Sequence, residues 1–147
     1  MAGLNPKRIV VPIDFSDLSY DALDRAIEIA GDDGEVLVIH VLTELTTMEP
    51  GTLYGTVTDD ERIKAAEEFL QKKLADKTLA SVSVNAVVGD AGREIAAFAE
   101  REAADLIVIP SHGYGFFKHM FLGSVAERVV RLAHCPVLVL RSQDAES

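Results

Sequence analysis

Residues 111–125 carry the strongest chemical signal in the chain. Ser111-His-Gly113 is followed, after nine residues, by Gly123-Ser124. A glycine at 113 lets a backbone N–H approach an anion with no Cβ in the way. Gly123-Ser124, read as a helix start, offers unpaired N–H groups, the positive end of the helix dipole and one hydroxyl. Together these loops would cradle a phosphate. A plainer reading makes Gly123 a turn and Ser124 an N-cap. His112 is a candidate general base near neutral pH; a loop histidine that donates to phosphate or packs on the chain is the alternative. Lys118 and His119 would screen phosphate charge or form a solvated surface pair. Phe116, Phe117, Met120 and Phe121 form an apolar patch suited to core packing, a dimer contact or a ligand cap. Asp14 is either a hydrogen-bond acceptor for a ligand or an acid at a helix N-terminus, a role that Asp17 could fill instead.

Several chemistries are excluded. The chain has no G-x-x-x-x-G-K-[ST] segment and no protein-kinase signature set, and Gly113-Tyr-Gly115 lacks the third glycine of a dinucleotide fingerprint. No His, Cys and carboxylate cluster has metal-ligand spacing. A divalent ion such as Mg would enter with the phosphates of a ligand. Cys135 is the single cysteine, so an internal disulfide is impossible; a small apolar role beside Pro136 is expected.

The elements that must hold these residues alternate. Arg8–Ile13 and Glu35–Leu42 are apolar runs typical of strands covered on both faces. Between them Ser16-Asp-Leu-Ser19 offers caps, Leu18 to Ala30 has helical spacing and Gly31 supplies a stop. Residues 43–58 lose periodicity and carry Pro50, Gly51 and Gly55, a long connection in which Met48 and Tyr54 could fold over a bound ligand. Thr58-Asp-Asp-Glu61 has capping-box spacing and opens a helix with the stripe Ile63, Ala66, Phe69, Leu70 and Leu74. Val82–Val88 alternates like a strand near an edge. Ile95, Phe98, Ala99 and Ala103 mark a third helix, and Asp105–Pro110 a fourth strand. Val125, Ala126, Val129, Val130 and Ala133 mark the last helix, and Val137–Leu140 the last strand. The order βαβαβαβαβ predicts one α/β domain over residues 1–147, with a mostly parallel sheet, a core of about residues 7–141 and a polar tail at 142–147. Ligands of such sheets sit at the carboxyl ends of the strands where the strand order reverses, which points to the residues after Ile13 and after Ile109.

The chain of 147 residues has 24 acidic and 14 basic side chains, a formal charge of −10. That balance argues against nucleic acid or an anionic membrane surface as partner. No apolar run reaches the roughly 18 residues of a membrane span and no signal-peptide core precedes the first strand, so a cytoplasmic location is expected.

Val10-Val-Pro-Ile-Asp-Phe-Ser16, Ile39-His-Val41, Leu106-Ile-Val-Ile-Pro-Ser-His-Gly113, Leu122-Gly-Ser-Val-Ala-Glu127 and Cys135-Pro-Val-Leu-Val139 occur here in one order. In that combination the chain resembles universal stress proteins. The resemblance implies a Rossmann-like three-layer α/β/α sandwich with a five-stranded parallel sheet of order 3-2-1-4-5. It also implies a homodimer joined through the last strand and, in one subgroup, ATP or AMP bound at a G-x2-G-x9-G-[ST] motif. Here the second glycine is Gly113 and the final pair is Gly123-Ser124, but Pro110 replaces the first glycine and offers no N–H. Carried over, the resemblance gives Asp14 the ribose hydroxyls, Pro12 and Ile13 the base pocket, and the Val41 backbone the adenine edge. Gly113, Gly123, Ser124 and Val125 would hold phosphates through N–H groups, with Pro110 and His112 beside them. The expected function is that of a dimeric, adenine-nucleotide-binding regulator or sensor of the stress response. A dimeric interaction module without nucleotide, or a slow ATPase using His112, are the alternatives.

Overall fold

The computed structural model describes residues 5–44, 58–77, 81–113 and 122–141. Among the described residues nine elements follow one another: β1 (Arg8–Pro12), α1 (Asp17–Ala30), β2 (Glu35–Leu42), α2 (Asp59–Lys73), β3 (Ser81–Val88), α3 (Ala91–Arg101), β4 (Leu106–Pro110), α4 (Ser124–Leu132) and β5 (Val137–Leu140). The strands form one parallel sheet of order β3-β2-β1-β4-β5. This is the Rossmann-like α/β fold expected from the resemblance.

Because side chains alternate along a strand, the buried strands feed two separate cores. Ile9, Val11, Val36, Val38, Leu106 and Val108 meet Ala22, Leu23, Ala26 and Ile27 of α1 and Leu70 of α2 on one face. Val10, Leu37, Ile39, Ile107 and Ile109 meet Ile95, Phe98 and Ala99 of α3 and Ala126 and Val129 of α4 on the other. Gly92 sets the spacing of the last two helices, since a Cβ there would lie 2.6 Å from the Arg128 Cβ. Three capping side chains start the helices: Ser16 accepts from the Ser19 N–H, Thr58 from Glu61 and Asp90 from Arg93. The first two were legible as caps.

The helical stripes are narrower than the periodicity predicts. Phe69 is 54% exposed, and Val125 and Val130 are also exposed. Ala103, expected inside the third helix, lies just beyond it with φ +53°. The Ala104 N–H reaches back to Ala99 O at 2.9 Å, so Ala103 holds the left-handed position of a Schellman-type stop. Alanine there leaves no sequence signal, because glycine is the usual residue.

The two sheet edges differ. Gly89 N–H pairs with Leu42 O, so by alternation Ala86 turns its N–H outward, and Glu67 of α2 accepts it at 3.0 Å. At the far edge Pro136 O and Leu140 O face β4, which turns the backbone groups of Val137 and Val139 outward with no partner among the described residues.

Candidate functional site

The sheet opens between β1 and β4, where the strand order reverses. Arg8 O accepts from Asp105, so Arg8, Val10 and Pro12 face β4. Ile107 and Ser111 donate towards β5, so Leu106, Val108 and Pro110 face β1. The two strands are in register at Ile9↔Leu106 and Val10↔Ile107. The next rungs would need an N–H from Pro12 and then one from Pro110, and proline has none. The ladder ends there and the strands part. The proline that replaces the first motif glycine therefore helps to open the crevice.

That crevice encloses about 780 Å³ of unfilled space, its mouth included. Pro12, Ile13, Asp14, Val41, Pro110, His112, Gly113, Gly123, Ser124 and Val125, the residues singled out from sequence, all line it. Ser19, Ile39, His40, Ala91, Ile95, Ile109, Ser111 and Ala126 line it as well and had no individual role assigned from sequence. For Ser111 the signal was adjacency to His112. For His40 it was a polar ring interrupting an apolar strand.

At one wall, Asp14 Oδ1 accepts the Ser16 N–H at 3.0 Å and the Ser16 hydroxyl. Asp14 Oδ2 occupies the place where a Cβ on Gly113 would stand, so only glycine fits at 113 beside this carboxylate. Phe15, next in sequence, has φ +68°. This left-handed turn sends the chain from β1 sharply towards α1.

The rear of the crevice is main chain. Glu35 N–H pairs with Lys7 O and Ile13 N–H with Ile39 O at 2.9 Å, so alternate residues of β2 up to Val41 face β1. β1 pairs only as far as Pro12↔Ile39. Val41 thus points an N–H and a C=O into the opening, a donor and an acceptor on one edge.

The opposite wall is the start of α4. Gly123 is its N-cap residue and gives no side-chain cap, and the N–H groups of Ser124, Val125 and Ala126 have no acceptor among the described residues. Gly123 departs from expectation. Its own N–H donates to Ser111 O at 2.7 Å, and Ser111 N–H donates to Leu140 O at 2.8 Å. The Gly123 amide ties the two loops together and is not aimed at a guest. A Cβ at 123 would lie 3.0 Å from that same Ser111 oxygen. Ser111 and His112 are both buried, with Ser111 Oγ 3.1 Å from His112 Nδ1.

Among the described residues no Lys or Arg lines the crevice. An anion here would be held by amides and a helix dipole. No group of three or more metal-ligating side chains occurs among the described residues. Lys118, His119, Phe116, Phe117, Met120, Phe121, Met48 and Tyr54 lie outside the described residues, as do the polar tail at 142–147 and most of the 43–58 connection.

This geometry coincides with a family match. The model of the universal stress protein family covers residues 5–141. The chain belongs to that family. Universal stress protein MJ0531 of Methanocaldococcus jannaschii is 36% identical over 146 residues, covering 95% of this chain and 85% of its own length. The solved structure of the MJ0577 protein, from the same organism, superposes with a TM-score of 0.77 at 31% identity, covering 97% of this chain and 99% of that one. A universal stress protein of Arabidopsis thaliana, solved with AMP bound, shares the fold at a TM-score of 0.63 and 17% identity, covering 96% of this chain and 95% of that one. No helix among the described residues of this family member is long and apolar enough to cross a membrane.

Proposed function

We propose that this universal stress protein binds an adenine nucleotide, ATP or AMP, in the crevice between β1 and β4 and acts as a dimeric regulator or sensor. One observation carries the reading: the uncapped amides of α4 face, across a single cleft, the open backbone edge of Val41 and the Asp14 carboxylate. Those three features suit the three parts of a nucleotide. The Ser124, Val125 and Ala126 amides, with the Ser124 hydroxyl, take phosphate oxygens. Asp14 accepts from ribose hydroxyls. Val41 offers its N–H to a ring nitrogen of adenine and its C=O to the exocyclic amine, between the apolar walls of Pro12, Ile13 and Ile39. That the same fold holds AMP in the Arabidopsis protein agrees with such a guest. With no cation lining the described crevice, a divalent ion such as Mg would arrive with the phosphates.

Two copies joined through the outward edge of β5 complete the proposal. An unpaired apolar edge is a liability unless a second chain covers it. Light scattering at micromolar concentration tests the dimer, and a monomer counts against it. Equilibrium dialysis tests the nucleotide. Saturable ATP binding is expected, and Gly123→Val should abolish it by driving a branched side chain into the Ser111 carbonyl. A wild-type protein that retains no ATP would leave an interaction module. Turnover that survives purification and falls on His112→Ala would instead mark a slow ATPase.

A further inference from the structure

We propose that His40 is a positioning residue that keeps the Val41 N–H open for the base, by taking the Ile13 carbonyl with which that amide would otherwise pair. The inference rests on the nucleotide reading for its purpose, though not for its geometry. In a parallel ladder each residue donates to one neighbour and accepts from the residue two further on. Ile13 donates to Ile39 O, so the next rung would run from the Val41 N–H to Ile13 O. The structure replaces that rung. His40 Nδ1 lies 2.7 Å from Ile13 O, and β1 pairing stops at Pro12↔Ile39. A carbonyl oxygen only accepts, so Nδ1 carries the hydrogen and the ring is the donor.

The imidazole is held for this task. His40 points to the α1 and α2 face of the sheet, where the Phe15 ring lies with its centroid 4.5 Å away, tilted by 48°. Phe15 packs edge-on against Phe69 of α2, with centroids 5.4 Å apart. The positive φ of Phe15 turns the chain away immediately after Asp14. Thus the residue that follows the crevice carboxylate also buttresses the ring that ends the ladder. The Ile13 carbonyl stays satisfied, and the unpaired donor is moved to Val41, which lines the cleft.

Amide hydrogen exchange in the nucleotide-free protein tests this directly. In the wild type, Val41 N–H should exchange much faster than Ile39 N–H two residues earlier. His40→Phe keeps a ring against Phe15 but removes the donor; it should let Ile13 O recapture the Val41 amide and slow its exchange about tenfold or more. His40→Asn, which places an N–H near the position of Nδ1, should restore fast exchange. In binding, His40→Phe should lower the preference for ATP over GTP while leaving the affinity for tripolyphosphate unchanged; His40→Asn should keep the preference. Val41 protected as strongly as Ile39 in the wild type, or exchanging equally in wild type and His40→Phe, overturns the proposal. His40→Leu is the second variant should His40→Phe not fold, and the wild-type comparison decides without either. A wild type that binds no ATP would remove the nucleotide reading and leave the exchange result to judge His40 alone.

Discussion

Gly113→Ala isolates the closest packing in the crevice. Gly113 does not have a positive φ, so alanine meets no backbone penalty there. The cost comes from one atom, because the added Cβ overlaps Asp14 Oδ2. Asp14 cannot simply rotate, since its other oxygen is bound to the Ser16 N–H and hydroxyl. Hydrogen bonds to a charged group contribute roughly 1.5–3 kcal/mol each when sheltered. Asp14 is half-buried, so water recovers much of that, and the expected loss is about 1.5 kcal/mol in all. For a chain of this length that is a fall in Tm of about 3–6 °C. Asp14→Ala removes the obstruction together with the hydrogen bonds. In that background Gly113→Ala should be neutral, or stabilising by about 0.5 kcal/mol through lost unfolded-state freedom. Urea unfolding of the four proteins in the cycle measures the coupling, expected at about 1–2 kcal/mol. Additivity within about 0.5 kcal/mol would instead show that the alanine methyl and the carboxylate never compete for space.

Other outcomes follow from features away from the crevice. Ala103→Gly should stabilise the protein by about 0.5–1 kcal/mol, since glycine adopts the left-handed stop of α3 without strain; the urea midpoint should rise. Asp105 accepts the Lys7 and Arg8 N–H groups at 3.0 and 2.9 Å, and these bonds, with the Arg8 charge, hold its carboxyl below the ordinary value. A depressed folded pKa contributes stability above the unfolded value and loses it as the pH falls through the folded one. Asp105→Asn should therefore cost stability at neutral pH and flatten the acid limb of the stability profile below about pH 4. Burial and the nearby Asp105 charge push the Cys135 thiol up, so Cys135 should react with a disulfide reagent at neutral pH more slowly than a free thiol does, and become as fast in urea.

The strands were legible because apolar runs covered on both faces leave little room for another reading, and Val82–Val88 alternated as an edge strand must. Strand order came through the family resemblance. Gly113 and Gly123 were recognisable as positions that exclude a Cβ. What each excludes it from, Asp14 Oδ2 in one case and Ser111 O in the other, depends on chain segments far apart in sequence. The engagement of the Gly123 amide was hidden for the same reason. Spacing shows that a helix begins near residue 123, but not which of its first N–H groups another loop consumes. Pro110 looked like a defect when set against a motif. Only the facing of β1 and β4 shows it working with Pro12 to end their pairing. Ala103 was missed because alanine does not announce a left-handed backbone, and His40 because a polar ring in an apolar strand does not show which distant carbonyl it will meet.

The unequal rims of the sheet set a limit on growth. If copies join along β5, each joined sheet presents β3 at both of its ends, and there the Glu67 carboxylate already occupies an outward-pointing amide. Strand addition then has one adhesive side per molecule, and a structure with one adhesive side closes at two members. In such a pair the acidic side chain on α2, remote from the crevice, would stand in the way of further growth at the outer rims.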